Sequence, residues 1–127
     1  MTAQLFFRGL LPTLALLIFA GSQAPLAHAH AVVVKATPTD RSTLAGVPPE
    51  IVLQFNATLE KKLVHLKLER ADGSSQTLTD RAPEAAVVRC TLPQDLIPGA
   101  YTLKYKVLAT DGHATQGVLR FTINPGH

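Results

Sequence analysis

Three residues of this 127-residue chain have the types and the placement to hold a metal ion: His30, Asp111 and His113. Asp111 and His113 stand two apart around Gly112, so an extended or turning backbone can send both side chains the same way. The glycine lets that backbone turn tightly without a side-chain clash. By itself the triplet reads more simply as a turn, with the aspartate bonding the backbone and the histidine at the surface. His30 changes that reading because it follows Ala27-His28-Ala29. A chain cut after Ala29 starts with His30, whose α-amine and ring nitrogen together close a chelate on one ion. Adding His113 and Asp111 gives three nitrogens and one oxygen. Such a set suits Cu(II), which takes tetragonal nitrogen and oxygen donors and stands highest among divalent first-row metals; zinc is the second choice.

The cut itself is expected from residues 1–29. Arg8 is their only charge, and the apolar run 9–20 is interrupted only by Pro12 and Thr13. The small and polar stretch Gly21-Ser22-Gln23-Ala24-Pro25-Leu26 leads to Ala27-His28-Ala29, the form of a secretory signal peptide with an A-x-A cleavage site. A retained anchor would need roughly 20 apolar residues, well beyond this run. The expected organisation is a signal peptide over residues 1–29 and one exported domain over residues 30–127.

Composition narrows the function classes. A single cysteine excludes an intrachain disulfide and a repeated-cysteine metal site. Lys+Arg 12 against Asp+Glu 9 gives +3, too little and too scattered along the chain for a nucleic-acid footprint. Cys90 falls in phase with Val88 and Leu92, so its thiol is expected in the core. His65 shares the polar face of its segment with Lys67 and Glu69 and reads as an exposed residue. His127 is terminal and His28 leaves with the signal. Lys61-Lys62 reads as a solvated turn.

The elements that must position these residues are strands. Apolar residues recur at period two in short segments bounded by proline, glycine or aspartate. Segments 31–36, 51–56, 64–69, 75–78, 86–92 and 101–107, and a last one carrying Leu119, Phe121 and Ile123, predict an all-β, two-layer antiparallel sandwich of about seven strands. The Asp111-Gly112-His113 loop joins the last two of them, with the chain returning at Gly117. Residues 93–99 have room for one helical turn, which Pro98-Gly99 would stop.

Several motifs go further: His30 at the expected start, Thr37-Pro38 closing the first strand, and Leu44-Ala45 with Pro48-Pro49 ahead of Ile51-Val52-Leu53-Gln54-Phe55. Gly99-Ala100-Tyr101 follows, then Thr110-Asp111-Gly112-His113 with Gly117 four residues later. In these the mature chain resembles, over essentially its whole length, the CopC-type copper-resistance proteins. The resemblance implies an exported Cu(II)-binding β-sandwich of immunoglobulin-like Greek-key topology. It further implies a histidine brace completed by an aspartate, which falls on His30, Asp111 and His113, and an inner-membrane copper transporter as partner. The chain departs from the family at Ala57, where a glutamate is frequent, and at Tyr105, where a tryptophan is common. It has no methionine after Met1.

The leading expectation is a non-catalytic, monomeric Cu(II) carrier. A copper monooxygenase also uses an N-terminal histidine brace, but Asp111 would occupy the position that an oxygen species needs. A metal-free interaction module of the same fold is the third class.

Overall fold

Alternation in the sequence becomes alternation in burial. The computed structural model describes residues 31–125; the expected signal peptide, His30 and His127 lie outside them. Among the described residues eight strands form: β1 (Val33–Thr37), β2 (Ser42–Leu44), β3 (Glu50–Phe55), β4 (His65–Arg70), β5 (Ser75–Leu78), β6 (Val87–Thr91), β7 (Gly99–Leu108) and β8 (Ala114–Ile123). They make a three-stranded sheet in the order β1-β3-β6 and a five-stranded sheet in the order β2-β8-β7-β4-β5. Seven strands match the segments expected from the sequence. The eighth, β2, is a three-residue strand that pairs parallel with β8, beside otherwise antiparallel ladders.

The two inner faces supply the core. Ile51, Leu53 and Phe55 of β3 and Val88 and Cys90 of β6 meet Leu66, Leu68, Leu103, Val107, Leu119 and Phe121 from the larger sheet, all buried. Truncating one of these leucines to alanine costs about 2–5 kcal/mol, through lost transfer energy and the cavity left behind. Tyr101 stacks on Phe121 with ring centroids 5.6 Å apart. Its hydroxyl donates to the Ile97 carbonyl, tying the turn before β7 to the sheet. That turn holds no helix; among the described residues the helical turn is instead a 3-10 turn at Lys61–Leu63.

β7 and β8 form the longest hairpin, paired from Gly99↔Ile123 to Leu108↔Ala114. Tyr105 lies opposite Gly117 in this ladder, and a Cβ on residue 117 would overlap the tyrosine ring. Glycine at 117 therefore lets the ring lie flat over the neighbouring strand. The ring also meets Phe55 of the other sheet edge-on, with centroids 5.8 Å apart. The ladder runs unbroken to the tip, so residues 109–113 are a short rigidly based loop.

Candidate metal site

The loop is closed from within. The Ala109 N–H donates to the His113 carbonyl and the Gly112 N–H donates to the Ala109 carbonyl, each at 2.9 Å. Gly112 sits at φ +92, where an L side chain is strained, although space around it is open. The requirement for glycine is thus conformational. The loop is also tied from outside: the Thr110 N–H donates to the Thr58 carbonyl at 3.0 Å, the Glu60 N–H to the Leu108 carbonyl at 2.8 Å, and Leu59 forms a bridge with Ala109.

Within this frame one carboxylate holds His113 twice. Asp111 Oδ1 accepts the His113 backbone N–H at 2.9 Å, and Oδ2 lies 3.2 Å from His113 Nδ1. The turn hydrogen bond and the side-by-side placement of the two side chains coexist. Both side chains are accessible, 43% and 44% exposed for Asp111 and His113. Two donors bound side by side to one small divalent ion stand roughly 3 Å apart, given metal–ligand distances of about 2.0–2.2 Å. That spacing fits a shared ion, but Nδ1 itself has no exposed surface, so an ion reaches it only when the ring or its cover moves.

The start of the described chain is held by the same connection between β3 and β4. The Val32 N–H donates to Asn56 Oδ1 at 2.8 Å, and the Asn56 N–H donates back to the Val32 carbonyl at 3.0 Å. Ala31 is fully buried. Asn56 and Thr58 are two residues apart, a span of roughly 7 Å at full extension. One short segment thus anchors both the chain just after residue 30 and the loop carrying Asp111 and His113. Among the described residues, no three or more His, Cys, Asp or Glu side chains gather as a metal-holding group. Asp111 and His113 supply a pair.

Among the other described candidates, His65 and Cys90 fall as their patterns suggested and Lys61 does not. His65 is exposed on β4, opposite Lys106 of β7. Cys90 is fully buried, and burial pushes its thiol up to about 11. Lys61 corrects the solvated-turn expectation. Its ammonium lies 2.6 Å from Asp80 Oδ2, in a pair whose aspartate side chain is only 7% exposed, and also donates to the Val87 carbonyl. Asp80 Oδ1 accepts the backbone N–H groups of Ala82 and Arg89 at 3.0 and 3.1 Å. This buried carboxylate fixes the entry to β6, and no local sequence signal joins it to a lysine 19 positions earlier.

Comparison with known proteins agrees with this architecture. The family model described as the CopC domain matches residues 33–124. The copper transport protein CutJ of Bacillus subtilis is 26% identical over 112 residues, 85% of this chain and 20% of that protein. The chain therefore spans about a fifth of the length of that relative. Protein YobA of Escherichia coli is 27% identical over 102 residues, 78% of this chain and 82% of the relative. Among solved structures, CopC from Methylosinus trichosporium OB3b superposes with a TM-score of 0.70 at 25% identity, covering 77% of this chain and 97% of that one. PcoC, a methionine-rich copper resistance protein from Escherichia coli, gives a TM-score of 0.64 at 20% identity, covering 76% and 100%, and so supports the fold. With most of its length matched by one family model and the same sandwich in a solved CopC, the chain belongs to the CopC family.

Proposed function

We propose that the chain is exported to the periplasm, cut after Ala29, and there binds Cu(II) to sequester or carry it, without catalysing a reaction. The ion is its cargo. The donors would be the His30 α-amine and ring, the His113 ring and the Asp111 carboxylate. The observation that carries this reading is the 3.2 Å approach of Asp111 Oδ2 to His113 Nδ1, on a loop tied through Thr58 to the segment that also anchors Val32. CutJ, named for copper transport, supports copper as the ion.

Donor chemistry supports the oxidation state. Nitrogen and oxygen ligands suit Cu(II), whereas Cu(I) is selected by soft sulfur. The only cysteine is buried in the core and no methionine follows Met1. Amine and imidazole must be neutral to ligate, so binding releases protons and weakens as pH falls. Four protein donors would leave little room for a reacting oxygen species, which favours a carrier over an oxidising enzyme. An inner-membrane copper transporter is the expected recipient. A Cu(II) competition titration of the processed chain against its Asp111→Ala and His113→Ala variants tests the assignment. Loss of affinity in both supports it, and unchanged affinity in either removes that residue from the site.

A further inference from the structure

The outer face of the five-stranded sheet carries positive charge that the proposed copper site does not use. By strand alternation β4 sends His65, Lys67 and Glu69 outward, and β7 sends Thr102, Lys104 and Lys106. The register sets Lys67 opposite Lys104 and His65 opposite Lys106, with Arg120 of β8 opposite Thr102. Strands lie about 4.8 Å apart, so these groups form a tight raft. Like charges directly opposed across a ladder disfavour the bare fold, and an anion above the face relieves them. Glu69, 2.8 Å from Lys104, is the one acidic side chain on the outward positions of β4, β5, β7 and β8. A shallow depression of about 320 Å³ opens among His65, Lys67, Thr77, Lys104, Lys106 and Gln116. The opposite sheet has no such bias: its Glu50 and Arg89 pair at 2.8 Å.

We propose that this face docks the protein on an anionic phospholipid surface. The charges are mostly lysines, flexible point charges without the fork geometry of arginine that recognises a fixed carboxylate. A protein partner would need an apolar or aromatic centre to exclude water. The only large apolar side chain exposed on this face is Val118, at 36%. Spread point charges without an apolar centre match laterally mobile anionic headgroups, which attract each nearby lysine by about fivefold in partition. Lys106 and His65 lie at the end of the sheet where β7 runs into the 109–113 loop, so docking holds that loop near the bilayer. The inference does not depend on copper.

The test is sedimentation of the exported, metal-free chain with phosphatidylcholine vesicles and with phosphatidylcholine/phosphatidylglycerol vesicles, at low and high salt. Binding is expected only to the phosphatidylglycerol vesicles and only at low salt. Lys67→Glu/Lys106→Glu is expected to lower the partition coefficient by about 25-fold or more. Lys35→Glu/Arg81→Glu, the same change in net charge on exposed residues elsewhere, is expected to stay within about threefold. Equal partition into the two vesicle types, or equal loss in the two double variants, overturns the proposal. So does capture by an acidic polypeptide such as polyglutamate in the absence of vesicle binding.

Discussion

Asp111 holds His113 with both carboxylate oxygens, Oδ1 on the backbone N–H at 2.9 Å and Oδ2 beside Nδ1 at 3.2 Å. One residue thereby shapes the loop and presents a charged donor next to an imidazole. The two roles separate by substitution. Asp111→Asn keeps an acceptor for the backbone N–H and loses the charge, so Cu(II) affinity should fall at least about tenfold. Stability of the apo domain should change by less than about 0.5 kcal/mol. Asp111→Ala and His113→Ala should also weaken binding and alter the copper electron paramagnetic resonance spectrum, while His65→Ala does neither. Competition titration, resonance spectra and thermal unfolding of the four variants check this.

Gly117 and Tyr105 form a steric pair. Gly117→Ala drives a Cβ into the tyrosine ring and should destabilise the domain by about 1–3 kcal/mol. In a Tyr105→Ala background the same change should cost less than about 0.5 kcal/mol. A double-mutant cycle by urea unfolding reads the difference; equal costs in both backgrounds would contradict the contact.

The Asp80–Lys61 pair is expected to be structural. Asp80→Ala strands the partly buried Lys61 ammonium and removes the acceptor for the Ala82 and Arg89 N–H groups, a loss of about 2–4 kcal/mol. Lys62→Ala, at the exposed neighbour, should stay within about 0.5 kcal/mol. Chemical denaturation of both variants checks the contrast.

These pairs mark where the sequence is legible and where it stops. Strands whose apolar residues alternate over five or more positions, such as Tyr101-Leu103-Tyr105-Val107, could be read directly because burial on one face imposes the period. Ser42-Thr43-Leu44 could not: three residues carry no period, and the strand exists only because β8, some 80 residues later, offers an edge. The extension of β8 back to Ala114 was also hidden, since Ala114, Gln116 and Gly117 pair by backbone while lacking apolar alternation. Lys61 looked solvated because its partner, Asp80, is close only in the folded chain. For the metal-site candidates, Asp111-Gly112-His113 was legible as a two-apart pair around a glycine. The anchoring of that loop through Thr58 was not, because it is a backbone hydrogen bond with no side-chain signature.

Cys90 gives a pH prediction. Burial raises its thiol to about 11 from an ordinary 9.0, which favours the neutral form in the folded state. That contribution is fully present below pH 9 and is lost as pH rises from about 9 through 11. Urea unfolding at pH 8 and pH 10.5 should show a decline that Cys90→Ala reduces. Alkylation of the native protein at neutral pH should be far slower than that of the unfolded chain.

Reduction should release the metal. The proposed donors are nitrogen and oxygen, so adding ascorbate anaerobically to the Cu(II)-loaded mature protein, with a Cu(I) chelator of moderate affinity present, should transfer copper rapidly. Transfer without ascorbate should be slow. Retention of Cu(I) in this competition would contradict a Cu(II) carrier.

Whether the residue proposed to follow the cleavage site is a ligand is decided by varying the N-terminus itself. Two proteins are compared in a Cu(II) competition titration, one starting at His30 and one with a single residue left before it, after intact mass has established both starts. The extra residue converts the His30 amine into a peptide amide and removes one donor while leaving Asp111 and His113 untouched. The protein starting at His30 is expected to bind Cu(II) more tightly by at least about a hundredfold, since the other has lost a chelating donor. Equal affinities would contradict His30 as a ligand.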